Sequence, residues 1–109
     1  MITIDDLKKV EIHIGKILSA EFVEGADKLI KFMIDLGEES PRQILSGIRE
    51  YYPDPSVLVG RSVPVASNLA PRTIRGFESN GMIMYAAGEN GNFCTIEPSK
   101  EIPPGTEVR

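Results

Sequence analysis

Residues 68–82 read NLAPRTIRGFESNGM and lie between two apolar runs, 63–66 and 82–85. Runs of this kind are typical of strands, and the proline and glycines between them are typical of a loop. The stretch contains Arg72 and Arg75 with no acid between them, followed by a small polar patch at 79–81. The sequence therefore predicts a long basic loop held between two strands, which is a rigid place to mount a binding site.

Charge is distributed unevenly around this stretch. Residues 61–77 contain Arg61, Arg72 and Arg75 and no acid, so they carry +3, while the chain carries −4 and the remainder therefore −7. A basic patch on an acidic body can bind phosphate locally while the body repels nucleic acid elsewhere. Charge alone favours the plainer interpretation, in which these arginines are an ordinary solvated surface.

Before this stretch, the pattern predicts a short helix and then a long strand. Thr3 and Asp6 are spaced as a capping box, which predicts a helix of one to two turns. From Val10 the apolar residues alternate, as they do in a strand. Gly15 interrupts the alternation and is predicted to bend the strand, a device that curves sheets into barrels.

The rest of the chain predicts further strands joined by short turns. Strands are expected near 29–35, 42–48, 61–68, 81–87 and 93–96, with turns at 24–27, 37–41 and 88–92. A short helix is expected at 49–52, before a proline-rich connection. Phe22, Phe32 and Phe93 are predicted to point into the core. The fold class is therefore all-β, in a single domain spanning 1–109.

The stretch at 68–82 also carries a family resemblance. Its Asn68-Leu-Ala-Pro-Arg72, Arg75-Gly76 and Ser79-x-Gly81-Met82 resemble the signature of the tRNA-binding domain appended to methionyl-tRNA synthetases, which also occurs as freestanding dimeric tRNA-binding proteins. The segments 10–17, 23–29, 35–37, 42–48, 52–55, 59–61 and 104–106 follow in family order. The resemblance implies a five-stranded oligonucleotide-binding (OB) fold, a Greek-key barrel with short helices and terminal extensions. The predicted helix between the third and fourth strands agrees with that fold.

The resemblance implies a non-catalytic module that binds tRNA, most closely the C-terminal domain or β-subunit of methionyl-tRNA synthetase. The cations expected to contact phosphates are Lys28, Lys31, Arg42, Arg49, Arg72 and Arg75. The groups expected to donate to phosphate or ribose oxygens are Asn68, Ser46 and Ser79. Met82 is either an RNA contact or a core methionine. The chain departs from the family at His13, Thr73 and Asn80, and the first two changes each replace a cation that many members carry.

Aromatic residues make up 6% of the chain, and there is no tryptophan. OB-fold proteins usually hold single strands by stacking bases on aromatic side chains. With three phenylalanines predicted in the core, we expect recognition of the shape and backbone of a folded RNA instead. The alternative from another functional class is a chaperone-like dimeric module of the same fold that binds extended peptides.

No catalytic, metal or cofactor site is predicted. His13 is the only histidine and Cys94 the only cysteine, and neither a Gly-x-Ser-x-Gly elbow nor a glycine-rich phosphate loop occurs. Cys94 is predicted to be a buried structural thiol. No signal-peptide pattern and no apolar run of membrane-spanning length occurs, so a cytoplasmic location in protein biosynthesis, without a membrane partner, is expected.

The two chain ends predict a homodimer. Ile4, Leu7 and Val10 lie on a segment too short to form a stable helix alone, and Pro104 and Val108 lie on an apolar C-terminal segment. A complete barrel leaves these ends without a core to fill, so we expect a two-fold contact to cover them. The alternative is that both ends fold back over their own barrel. The sequence leaves open whether the chain is a freestanding protein or a domain that works with the catalytic part of a synthetase.

Overall fold

The computed structural model describes residues 1–109 and consists mainly of short antiparallel strands. The elements in chain order are α1 (Ile4–Leu7), β1 (Ile12–Val23), β2 (Ala26–Asp35), β3 (Arg42–Ser46), a 3-10 turn (Pro55–Leu58), β4 (Ser62–Ala66), β5 (Arg72–Ile74), β6 (Phe77–Ser79), β7 (Met82–Ile83), β8 (Tyr85–Ala87), β9 (Phe93–Thr95) and β10 (Glu107–Val108). The predicted all-β class is confirmed. Neither α1 nor the 3-10 turn could span a lipid bilayer.

The long strand β1 organises the main sheet. Its second half pairs with β2 and its first half with β4, which gives the strand order β3-β2-β1-β4-β7. The C-terminal strand β10 pairs with the start of β1, through Ile12 with Val108 and His13 with Glu107. One hydrogen bond links the two edges of the sheet: the amide of Asn80, just before β7, donates to the carbonyl of Gln43 on β3 at 2.9 Å. The segment before β7 therefore lies against β3.

The core lies on one face of this sheet, where β-branched residues and Phe32 are fully buried. Gly15 serves this packing, because a Cβ at its position would clash with the Ile34 side chain. The pairing of β1 with β2 has two irregularities further on, between Ile17 and Ser19 and between Phe22 and Val23. Gly15 therefore permits close approach of the core, and β1 passes from its pairing with β4 to its pairing with β2 at the next residue, Lys16. That Gly15 itself bends the strand stays a prediction.

The short helix predicted at 49–52 is wrong. The backbone there forms isolated turn bonds, from the amide of Tyr51 to Ile48 and from that of Tyr52 to Arg49. The helical turn lies at Pro55–Leu58, where the Asp54 side chain accepts from the Ser56 amide and hydroxyl. That carboxylate therefore has a lowered pKa, and the proline at the first position suits a helical start.

Two small hairpins stand outside the main sheet. The first, β5–β6, occupies the stretch that was predicted to be an irregular loop. The second, β8–β9, uses the end of the strand predicted at 81–87, which breaks at Met84. The Met84 amide still donates to the Pro64 carbonyl, so the chain leaves the main sheet only after this residue and then forms Tyr85–Ala87 of the second hairpin.

The chain ends flank the first half of β1. The predicted capping box is confirmed: the Asp6 amide donates to the Thr3 hydroxyl, and the Thr3 amide donates to the Asp6 carboxylate. The Thr3 amide is the largest cause of the lowered pKa of Asp6. All four residues of α1 are exposed, so this turn lies on the surface of the molecule without a buried side chain.

Candidate nucleic-acid interface

The basic hairpin, β5–β6 with its turn, is residues 72–79. Its strands pair Arg72 with Ser79 and Thr73 with Glu78. Arg75 forms the turn with a φ of 52°, a left-handed conformation that is uncommon for a residue other than glycine. The hairpin places both arginine side chains in solvent, as the sequence predicted.

An apolar anchor holds the basic hairpin in place. Ile74 and Phe77, which pair across its end, pack against a small buried cluster. That cluster consists of Val23, Ala26 and Leu45. At the other end of the hairpin, the Gln43 side chain donates to the Glu78 carbonyl at 3.0 Å. The arginines therefore stand on a rigid support.

Four cations that form no ion pair lie on or near this hairpin. Arg72 and Arg75 are exposed and form no ion pair, and the same is true of Lys28. Arg49 is half-buried, forms no ion pair, and its amide donates to the Lys28 carbonyl at 3.2 Å. The structure thus brings four of the six predicted phosphate contacts to one end of the sheet, where β1 ends and β2 begins.

Two other predicted phosphate contacts are already engaged. Arg42 makes two hydrogen bonds of 2.8 Å to Glu38 and donates further to the carbonyls of Ser67 and Asn80. This pairing raises the pKa of Arg42 and lowers that of Glu38. Lys31 lies 3.2 Å from a Glu21 carboxylate oxygen and 4.9 Å from the centre of the Phe77 ring. Both cations stabilise the fold around the hairpin and carry little free charge.

Arg61 belongs to neither group. It contributes to the +3 charge of residues 61–77, but its guanidinium pairs with Glu97 at 3.4 Å and donates to the Val57 carbonyl. It lines a groove with Lys16 and Lys100, and no residue of the basic hairpin lines that groove. Of the three arginines in residues 61–77, only Arg72 and Arg75 are therefore without an acidic partner in the structure.

The two predicted serine donors are used within the fold. Ser79 is 4% exposed, and its hydroxyl accepts from the Leu45 amide at 3.1 Å. Ser46 accepts from the Tyr85 hydroxyl at 3.0 Å. Burial raises the pKa of Tyr85 well above its usual range, so this tyrosine remains a neutral donor. Both serines act here as internal partners that fix neighbouring strands.

Asn68 also acts within the chain. Its side-chain oxygen accepts from the Glu11 amide at 2.8 Å, and its side-chain nitrogen donates to the Lys9 carbonyl at 2.7 Å. The neighbouring Ser67 bonds His13 and the Glu11 carbonyl. Asn68 thus fastens the N-terminal segment to the strand that leads into the basic hairpin.

Three further side chains for which a buried position was predicted or considered are exposed in the structure. Met82 is 49% exposed, so its interpretation as a core methionine is wrong. Cys94 is exposed, which overturns the predicted buried thiol, because β9 pairs only with β8 in a two-stranded hairpin. Phe22 is 37% exposed and does not belong to the core. The ring is covered by the Arg49 guanidinium instead of by core side chains.

The structure reveals exposed aromatic groups that the sequence pattern did not show. The Arg49 guanidinium lies 3.8 Å from the centre of the Phe22 ring. Tyr51, which is 41% exposed, stacks on Phe93 with ring centres 4.2 Å apart and planes within 7°. Alternation along a strand predicts which side a residue faces, but it does not predict where the covering layer stops.

The chain ends form a second uncovered surface. The terminal face is Ile4, Leu7, Val10, Ile12 and Val108, which line one groove of about 590 Å³. Pro104 does not line this groove, because its carbonyl lies against Gly37 at the other side of the C-terminal segment. Four of the five residues predicted for a dimer contact therefore share one face.

Comparison with known proteins agrees with the family resemblance. A family model described as "Putative tRNA binding domain" matches residues 12–107. The chain belongs to the tRNA-binding domain family. As a member of this family it is a binding module, and the expectation of a non-catalytic domain is confirmed.

Its relatives include synthetases and freestanding proteins. The chain is 49% identical over 108 residues to a methionine–tRNA ligase from Methanocella arvoryzae, and this match covers 99% of the chain and 15% of the ligase. The solved structure of a MetRS-related protein from Pyrococcus horikoshii has a TM-score of 0.92, 32% identity and coverage of 100% of this chain and 98% of that one. The solved structure of the chaperone CsaA from Bacillus anthracis has a TM-score of 0.88 and 27% identity, and the match covers 100% of this chain and 99% of that one. The fold therefore exists both alone and within a long ligase.

Proposed function

We propose that this domain grips tRNA through Arg72 and Arg75 on the basic hairpin, with Lys28 and Arg49 beside them. The observation that carries the proposal is that these cations form no ion pair, whereas Arg42, Arg61 and Lys31 are neutralised by acids. Free arginines bind phosphate with charge-assisted hydrogen bonds. Because the hairpin is anchored by Ile74 and Phe77, it loses little conformational freedom when RNA binds.

Met82 adds an apolar contact in this proposal. It begins β7, three residues after the hairpin ends at Ser79, and half of its side chain is exposed. A flexible thioether can pack against ribose or a base edge without demanding one sequence. Ser46, Ser79, Asn68 and Arg42 then support the RNA-binding surface by positioning its strands, which revises their predicted role as direct contacts.

We infer that the main sheet closes as an OB-type barrel. The amide of Asn80 donates to β3 at Gln43, and Gly81 sits close to the Ile44 and Val65 side chains, which joins the two ends of the sheet. The helical turn at Pro55–Leu58 connects β3 to β4, as the helix does in that fold. Five strands of the sheet would then form the barrel, and β10 would belong to a terminal extension.

We further propose that the domain delivers tRNA to a methionine–tRNA ligase. The identity of 49% to a ligase of which the chain covers 15% supports a module appended at its C-terminal end, acting in the cytoplasm during protein synthesis. The ligase would supply the chemistry, and this domain would supply affinity for the common shape of tRNA. The selection of one tRNA would then belong to the catalytic part.

The second candidate function is a chaperone-like module. The likeness to the chaperone CsaA and the exposed apolar residues of the terminal face support it. A peptide-binding groove would be insensitive to salt, because burial of apolar surface does not release counterions. The free arginines of the basic hairpin favour RNA.

We propose that two copies associate through the terminal face. Exposed large apolar residues are concentrated at the chain ends, where they include Met1, Ile2, Ile4, Leu7, Val10 and Val108. Patches of this kind mark interaction sites, and a two-fold contact is the commonest solution. A dimer would also present two basic hairpins to one folded RNA and raise the effective affinity.

Salt titration tests the tRNA proposal. If three to five phosphates are contacted, the logarithm of the affinity for a tRNA transcript falls against the logarithm of salt concentration with a slope of roughly −2 to −5. An unstructured RNA of equal length binds more weakly, because it does not present the fixed phosphate geometry. A flat response to salt together with binding of an extended peptide would support the chaperone-like function instead.

A further inference from the structure

Five of the seven aromatic residues gather at one end of the sheet. Phe93 contacts three tyrosines, with ring centres 4.2 Å from Tyr51, 5.0 Å from Tyr85 and 6.2 Å from Tyr52. Phe22 lies under Arg49, which precedes Tyr51 by two residues. We name Phe22, Arg49, Tyr51 and Phe93 the aromatic strip. Arg49 and Tyr51, which each belong to one stacked pair, have Cα atoms no more than about 7 Å apart.

Core packing accounts for only part of the aromatic strip. Tyr52, Tyr85 and Phe93 pack against the main core, so they contribute to stability. Phe22 and Tyr51 do not, and both are exposed by more than a third. Because Phe93 covers one face of the Tyr51 ring, the exposed area of Tyr51 lies on its other face and edges. An open ring face held by a stacked neighbour is a preorganised surface for another flat group.

Arg49 gives the aromatic strip its charge preference. It forms no ion pair, and its guanidinium is held over the Phe22 ring. An arginine in this position can stack on a base with its plane and bind phosphate with its edge. An extended apolar peptide would use the rings alone, so the arginine favours a nucleic acid.

The aromatic strip lies beside the basic hairpin. Phe22 immediately precedes Val23, and Val23 belongs to the cluster on which Ile74 and Phe77 of the hairpin pack. Arg49 is bonded through its amide to Lys28, which is also free. Because consecutive strand residues point to opposite faces, the strip and the hairpin flank the same end of β1 from its two sides, and an RNA molecule that wraps around this end can contact both.

We propose that the aromatic strip binds unpaired nucleobases of the RNA that the basic hairpin holds by its phosphates, one base stacking at Arg49–Phe22 and its neighbour at Tyr51. This inference rests on the proposed RNA-binding function and replaces the expectation that the protein recognises shape and backbone alone. The ligand at the strip is a short single-stranded segment next to a paired region. Stacking tolerates every base, so the strip adds affinity without selecting a sequence.

Tyrosine fluorescence reports directly on this site, because the protein has no tryptophan and Tyr51 is the exposed member of its three tyrosines. The probes are a 12-nucleotide oligouridylate, a 12-base-pair RNA duplex and a tRNA transcript. Oligouridylate and tRNA should quench the tyrosine emission, and the duplex should not. Tyr51→Leu should remove most of the quenching.

Substitutions separate stacking from charge. The Phe22→Leu/Tyr51→Leu variant should bind oligouridylate about ten- to a hundredfold more weakly, since each stacked base contributes substantially to affinity. Its salt slope should stay the same, because no cation is removed. Phe22→Tyr and Tyr51→Phe should bind normally, since they keep the rings. The matched control is Val57→Ala, which shortens another exposed apolar residue on the 3-10 turn.

The outcomes distinguish this site from the proposed function. If tRNA binds with a steep salt slope but quenches nothing, and the leucine variant with a normal melting temperature binds as the unchanged protein does, the aromatic strip is not a base site although the tRNA proposal stands. If oligouridylate binds and tRNA binds no better than the duplex, the strip is supported and the tRNA proposal fails. If the Phe22→Leu/Tyr51→Leu variant loses binding of an apolar peptide but binds oligouridylate as the unchanged protein does, the strip is not an RNA site.

Discussion

The basic hairpin and the terminal face are both uncovered, but for different physical reasons. The hairpin presents charged groups on an apolar anchor, so its outer side is stable in water without a partner. The terminal face presents apolar groups on a four-residue helix and a two-residue strand, so its exposure has a cost in free energy that a partner can remove. Binding at the first surface should therefore respond to salt concentration, and binding at the second to the loss of apolar area.

The largest expected effect is on the terminal face. Leu7 is 50% exposed in one chain, and in the proposed dimer Leu7→Asp buries an unpaired carboxylate in each copy. A buried, unpaired charge costs several kcal/mol, so the dimer should weaken by at least roughly 1,000-fold. Sedimentation at micromolar concentration should then give a mass near 12.0 kDa for the variant and twice that for the unchanged protein.

The control for this change is Val57→Asp, which adds the same charge at another exposed apolar residue. It should leave the mass unchanged. A 12.0 kDa species for the unchanged protein would remove the dimer proposal. A Leu7→Asp variant that remains dimeric would place the contact on another surface.

The next effect is on the basic hairpin. Arg72→Ala/Arg75→Ala should weaken tRNA binding by roughly 100-fold and reduce the salt slope by about two, since two phosphate contacts are lost. Neither arginine is paired or buried, so the free energy of unfolding should change by no more than about 0.5 kcal/mol for each substitution. Binding titrations at several salt concentrations and a thermal melt measure the two quantities.

Lys16→Ala/Lys100→Ala is the matched control, because it removes the same two charges from exposed side chains in the groove beside Arg61. Its salt slope should remain close to that of the unchanged protein. If both double variants reduce affinity equally, the interaction depends on overall charge and the hairpin has no special role.

A smaller effect separates free cations from neutralised ones. Arg42→Ala leaves Glu38 and two carbonyls, those of Ser67 and Asn80, without their donor. We expect a loss of about 1–3 kcal/mol in the free energy of unfolding, because partly buried acceptors lose a charged partner. The salt slope for tRNA should not change. A variant of normal stability whose slope falls by one would restore Arg42 as a phosphate contact.

The smallest expected effect is on pH dependence. The hydrogen bonds from Arg42 lower the pKa of Glu38 below its ordinary value of 4.5 in the folded state. The stabilisation from Glu38 is therefore complete above about pH 4.5 and is lost as the pH falls through the lowered pKa. Glu38→Gln should flatten the stability curve in that acidic range. Thermal melts between pH 3 and 6 would show an unchanged curve if the pair contributes nothing.

Sequence reasoning predicted the order of strands well where local pattern and turn chemistry decide. The alternation predicted from Val10, the turn at Gly25 and the capping box at Thr3 are all local. The strand is present from Ile12, the turn has a φ of 78° at Gly25, and the capping box is formed. It failed at 49–52 because helical propensity there is weak and Pro55 offers a better helical start. It missed the basic hairpin because β5 and β6 have only three residues each.

The sequence by itself determined the family, the all-β class and the exposed arginines, because these depend on residue types, spacing and turn-forming residues. Only the tertiary structure decided which cations are free. All four of Arg42, Arg61, Arg72 and Arg75 are the same residue type. In the structure, Arg42 forms an ion pair with Glu38 and Arg61 forms one with Glu97, whereas the other two form none. The exposure of Phe22 and Tyr51 was likewise decided by which side chains pack against them. The Arg42–Glu38 pair joins residues only four apart, across the turn that leads into β3. The Arg61–Glu97 pair and the exposure of the two rings depend on segments distant in sequence that meet in space, so no local pattern along the chain carries them.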